Sequence, residues 1–94
     1  MSVEAITWAL RDAPDVPPHL VSTLFGLANH ADPNGKGAFP GLARLASYTR
    51  KEQRVVRKDL TALLKLGLIR KGDQRLISHI RPDKRPVVYD LAIE

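Results

Sequence analysis

Apolar residues recur with a helical period through the first two thirds of this chain and with a β-like pattern in the last third. Val3, Ile6 and Leu10, with Trp8 and Ala9 between them, predict a short helix over residues 3–11, the brevity of the segment leaving an N-terminal strand as the alternative. Residues 12–18, with three prolines, break it. Pro17 and Pro18 suit the first turn of a second helix, where a missing amide hydrogen costs nothing. Leu20, Leu24, Leu27 and Ala31 then make one apolar stripe, widened by Val21, Phe25 and Ala28. Residues 32–37, Asp-Pro-Asn-Gly-Lys-Gly, predict a turn-rich loop.

After Phe39-Pro40, two helical turns are expected over residues 41–47, with Leu42, Leu45 and Ala46 inward. Tyr48-Thr49-Arg50 reads as a break. From Lys51 to Leu66 the period resumes with Val56, Leu60, Leu63 and Leu64 on one face, and Gly67 is placed to end the helix in a left-handed conformation. Arg54, Arg57, Lys58 and Thr61 fall on the opposite face. Leu68-Ile69-Arg70 predicts a short strand, and residues 76–80 and 87–93 are β-rich. Between them residues 81–86 form a basic, proline-stiffened hairpin tip. The expected fold class is α+β, mainly α: three to four helices and a C-terminal β-hairpin, in the order of a winged helix-turn-helix. A chain of 94 residues holds one domain, here divided into a helical extension (1–15), a helix-turn-helix (40–66) and a wing (68–93).

The charge distribution points to a class of partner. The net charge of +5 is unevenly placed: residues 1–43 sum to −2 and residues 44–94 to +7. Between positions 44 and 58, Arg44, Arg50, Lys51, Arg54, Arg57 and Lys58 face Glu52 alone, so this short stretch carries as much net charge as the whole chain. The second helix of a helix-turn-helix enters the major groove of double-stranded DNA, where base edges differ in their donors and acceptors. Lys51, Gln53, Arg54, Arg57, Lys58 and Thr61 are the candidates to reach it. Gln53 can pair adenine bidentately, and Arg54 or Arg57 guanine. Arg44, Thr49 and Arg50, before the helix, are candidates for phosphate contacts. Arg81, Lys84 and Arg85 on the wing can follow the backbone or enter the minor groove; Arg70, Lys71 and Arg75 lie nearer its base.

Phe39-Pro40-Gly41-Leu42-Ala43-Arg44-Leu45-Ala46, then Val55-Val56-Arg57-Lys58-Asp59-Leu60 and Leu66-Gly67-Leu68-Ile69, resemble a bacterial winged-helix family whose usual form reads F-P-S-x-x-x-L-A, a turn, T-V-R-R-x-L-x-x-L and G-L-I. Leu24 to Ala31, the Asn34-Gly35 turn and the closing Pro86-Val87-Val88-Tyr89-Asp90-Leu91 extend the resemblance over about residues 16–93. The family includes replication-initiator N-terminal domains of plasmids and phages and small actinobacterial or phage regulators. The resemblance implies DNA binding and leaves the biological role open. Many members carry Gly where Arg50 stands, Ser where Glu52 stands and Thr where Val55 stands. Thr49 is therefore an alternative cap, with the helix beginning as early as Arg50.

Other chemistry is not legible. The chain has no cysteine, and His19, His30 and His79 are far apart, so neither disulfide nor metal site is expected. Residues 32–35 lack the later ligands of a calcium loop, and Gly35-Lys36-Gly37 is no phosphate loop. No cofactor motif, nucleophile–base pair or small-molecule site is evident, and an enzyme is not expected. No run is long enough to span a membrane and the first residues do not resemble a secretion signal, so a cytoplasmic, nucleoid-associated protein is expected. The leading expectation is a sequence-specific double-stranded DNA-binding protein acting as a transcriptional regulator. The alternatives are the DNA-binding domain of a replication initiator, which suits a chain ending near the close of the fold, and a winged-helix module for protein contacts. Homodimerisation is expected to use the N-terminal helix, with Ile6 and Trp8 as the contact.

Overall fold

The computed structural model describes residues 2–93. Helix α1 (Val3–Thr7) starts at Ser2, whose Oγ accepts the Ala5 amide at 3.2 Å and donates to the Glu4 carboxylate. It continues without a break into a π-helical turn over Trp8–Asp12, which Ala13 N–H closes on the Trp8 carbonyl. The predicted helix is present, but its inward face is different. Ala5 and Ala9 are buried, while Val3 and Leu10 are 72% and 56% exposed. Small side chains let this helix lie close against its neighbour, so the bulkier apolar residues turn outward; Ile6 and Trp8 are partly buried against the core.

Pro18–Leu20 form a 3-10 turn that launches α2 (Val21–Ala28), and the predicted stripe of Leu20, Leu24, Leu27 and Ala31 is buried. In the loop that follows, the Asp32 carboxylate accepts the amides of Asn34 and Lys36. Helix α3 (Leu42–Thr49) runs to Thr49 rather than stopping at residue 47. A tight turn then leads into α4 (Gln53–Lys65). Leu45, Val56 and Leu63 meet Leu20, Leu24 and Leu27 in the core. The α4 terminus follows the sequence expectation: Gly67 adopts φ 75°, its amide donates to Leu64 O, and the Leu68 amide donates to Leu63 O. Leu63 and Leu68 are both buried, the apolar contact that accompanies this capping motif.

Strands β1 (Ile69–Lys71) and β2 (Tyr89–Leu91) pair antiparallel, with Ile69 opposite Leu91 and Lys71 opposite Tyr89. On the other side of β2, Ala38 and Tyr89 exchange two backbone hydrogen bonds of 2.8 and 2.9 Å, so β2 lies between β1 and the segment entering α3. The long arm joining the strands, residues 72–88, departs from expectation. Residues 76–80 are not a strand: Gln74–Ile77 form a 3-10 turn and Pro82–Lys84 another. Gln74 supplies the pairing a strand would have supplied. Its side-chain amide donates to Val88 O at 3.0 Å and its Oε1 accepts from Val88 N at 3.0 Å. With Ile77 buried beneath, the arm is closed by side chains instead of a ladder. The described residues thus make a small α+β fold, mainly helical, with a two-stranded antiparallel hairpin. That order is compatible with a winged helix.

Candidate nucleic-acid interface

The turn between α3 and α4 decides which cations face solvent. Arg50 takes the left-handed conformation (φ 58°, ψ 33°), the position where the resembled family often has Gly. It is therefore not the first residue of a helix. Glu52 is the N-cap of α4 and makes no side-chain capping bond, and Thr49 is the last residue of α3. The Thr49 hydroxyl donates to Leu45 O at 2.8 Å, so it serves its own helix and not a phosphate.

Lys51 is the largest correction. It lies before α4, and its ammonium turns inward to the Asp59 carboxylate at 2.7 Å and the His19 carbonyl at 2.5 Å. Asp59 in turn accepts the buried Thr23 hydroxyl at 2.7 Å. This network ties the turn, α4 and α2 together, and removes Lys51 from the residues able to reach bases. Asp59 was legible as a carboxylate inside the apolar stripe Val56, Leu60, Leu63, a place that demands a cationic partner. Its neighbour Lys51 supplies that partner.

The outer face of α4 keeps the remaining candidates. Gln53, Arg54, Arg57, Lys58 and Thr61 are all exposed. Arg54 meets Glu52 at 2.8 Å, an ion pair with both side chains about 70% exposed and easily exchanged for another acceptor. The Thr61 hydroxyl donates to Arg57 O. Among the described residues, the guanidinium groups of Arg44, Arg50 and Arg57 and the Lys58 ammonium have no carboxylate partner.

The arm sorts its cations in the same way. Arg85 donates from Nε to Ile80 O at 2.6 Å and from Nη2 to Ser78 O at 2.8 Å, clipping the arm shut. Arg81 faces Asp83 at 3.4 Å. Arg75 grips Asp73, whose carboxyl is held down to about 2 by that guanidinium. The Lys84 ammonium is left for an outside anion.

Of these cations, Arg44, Arg57, Lys84 and Arg85 border a cleft of about 770 Å³ between the start of α3, the middle of α4 and the arm. Gly41 is the N-cap of α3 at φ 81°, and a Cβ placed there would lie 3.7 Å from that of Pro86, so helix and arm nearly touch. Arg44, Arg57 and Lys84 stand around the cleft, with Leu42, Leu60, Val87 and Tyr89 beneath them. Between the end of α2 and α3, His30 Nε2 and the Tyr48 hydroxyl are 2.7 Å apart with their rings stacked. Burial, and then the charge of Arg44, lower the His30 pKa. Periodicity and composition do not reveal this cleft, because its apolar lining comes from four separate segments.

No group of His, Asp and Glu able to hold a metal occurs among the described residues, nor any helix long and apolar enough to cross a membrane. No family model, curated protein or solved structure matches the chain. The winged-helix resemblance therefore rests on the motif residues quoted above, and the functional reading on the geometry of α3, α4 and the arm.

Proposed function

We propose that the chain is a winged-helix domain that binds double-stranded DNA sequence-specifically and serves as a transcriptional regulator. In this reading α4 is the recognition helix and the 72–88 arm is the wing. One observation carries it: exposed cations without carboxylate partners among the described residues, Arg44 on α3, Arg57 on α4 and Lys84 on the arm, border one cleft beside a helix pair joined by a tight turn, with Lys58 next to Arg57 on the exposed face of α4. A duplex with its major groove on α4 brings phosphates toward α3 and the arm. Gln53, Arg54 and Arg57 then read bases, with Arg44, Arg50 and Lys84 on the backbone. The Arg54–Glu52 pair opens at little cost when a guanine edge replaces it.

Selection of bound sequences from a random duplex pool tests the proposal. A defined site is expected, with binding that weakens steeply as salt rises, and symmetric half-sites would report a dimer. Replacing Arg54 and Arg57 together by alanine should cost about a hundredfold in affinity for that site and abolish the preference. No retention of mixed duplex at low salt would sink the proposal and favour an acidic protein partner for the same face.

A further inference from the structure

We propose that the cleft between α3, α4 and the arm binds an amphipathic organic anion, a flat apolar body carrying one acidic group, and that its occupation excludes DNA. The second half rests on the DNA-binding reading above; the first does not. At about 770 Å³ the cleft has the size of a small-molecule site. Its walls are held before any ligand arrives: Gln74 fastens the arm to Val88 on one side, and Arg85 clips it through Ser78 and Ile80 on the other.

The chemistry of the ligand follows from the lining. Leu42, Leu60, Val87 and Tyr89 offer an apolar floor that an inorganic anion would leave uncovered. Arg44, Arg57 and Lys84 at the rim lack carboxylate partners among the described residues, so a neutral ligand would cover them without neutralising them. Asp83, the carboxylate in the lining, faces Arg81 instead. Burial raises the Tyr89 pKa, so its phenol stays protonated and adds a donor rather than a charge. A carboxylate or sulfonate on an aromatic body satisfies both halves of the site. Because its acidic group takes cations that would face the duplex, Arg44 and Lys84 toward phosphates and Arg57 toward a base, ligand and duplex compete.

The test uses 8-anilinonaphthalene-1-sulfonate as the probe, titrated into the whole protein and followed by amide chemical shifts. Saturable binding of one probe per chain is expected, with shifts confined to residues around Leu42, Arg57, Leu60 and Val87. Arg57→Glu should weaken it by about tenfold or more through charge reversal. Val87→Trp should do the same by filling the cleft, at a position that is 41% exposed and so tolerant of bulk. Circular dichroism checks that both variants are folded. Saturating probe should release a bound duplex, whereas inorganic phosphate at equal ionic strength should not. Unsaturable binding, shifts centred on Val3 and Leu10, or wild-type affinity in folded Val87→Trp would each overturn the site. Retention of the duplex by the probe-saturated protein overturns the exclusion. If the free protein binds no duplex at all, the function falls, and the cleft is judged by the titration alone.

Discussion

Lys58 and Asp59 are consecutive in α4 and belong to different worlds. Lys58 stands in solvent on the outer face, with Arg54 and Arg57 beside it. Asp59 is 5% exposed, held by Lys51 and Thr23 on the inner face. A single residue step, about 100° around the helix, thus separates charge that is available from charge used by the fold. A buried carboxylate must be neutralised and hydrogen-bonded where it stands, and doing so takes a cation from the loop that leads into the helix. The arm repeats the division: Arg85 holds backbone carbonyls while Lys84, its neighbour, is left outside. Total charge therefore overstates what a polyanion would meet on this surface.

The largest effect is expected on removing the inner carboxylate's partner. Lys51→Ala should destabilise the protein by about 3 kcal/mol in urea unfolding, because Asp59 is left buried with the Thr23 hydroxyl alone. Lys51→Met combined with Asp59→Leu should restore much of that loss, and DNA affinity of the folded double variant should stay near wild type. A large loss of affinity in that folded double variant would return Lys51 to the interface.

Arg50 probes the border between the two regions. Its left-handed backbone costs a non-glycine residue about 1 kcal/mol. Arg50→Gly should raise stability by about that amount and lower DNA affinity a few-fold by deleting a phosphate contact, so stability and binding move in opposite directions. If both rose, the Arg50 side chain would have no part in binding.

The smallest effect concerns His30. Its lowered pKa means the fold favours the neutral ring, so its contribution is fully present above the unfolded value of 6.5. That contribution is lost as the pH falls through the lower, folded value. The melting temperature should therefore drop between about pH 7.5 and about pH 5 more in the wild type than in His30→Gln. Equal slopes would detach His30 from the acid sensitivity of the fold.

Much of this architecture was legible along the chain because local rules dictate it. The α2 stripe, the Gly67 stop and the apolar face of α4 are each set by residues within a turn or two of one another. So is the concentration of cations between Arg44 and Lys58. Where expectation failed, distant partners decided. Residues 76–80 have the composition of a strand, yet Gln74 takes up the hydrogen bonds of Val88 and leaves them a turn. Val3 and Leu10 look like core, but Ala5 and Ala9 allow the closer approach to α2. The start of α4 was ambiguous because Arg50 and Glu52 are poor residues for their roles, and the turn is fixed instead by the Lys51 contacts to His19 and Asp59.

By itself, then, the sequence determined the helical elements, their order and the basic character of the second half, since periodicity, capping and charge count need no knowledge of contacts. Tertiary structure decided which cations remain available, because pairing depends on what lies across the fold. It also made the cleft, whose floor and rim come from segments that only packing brings together.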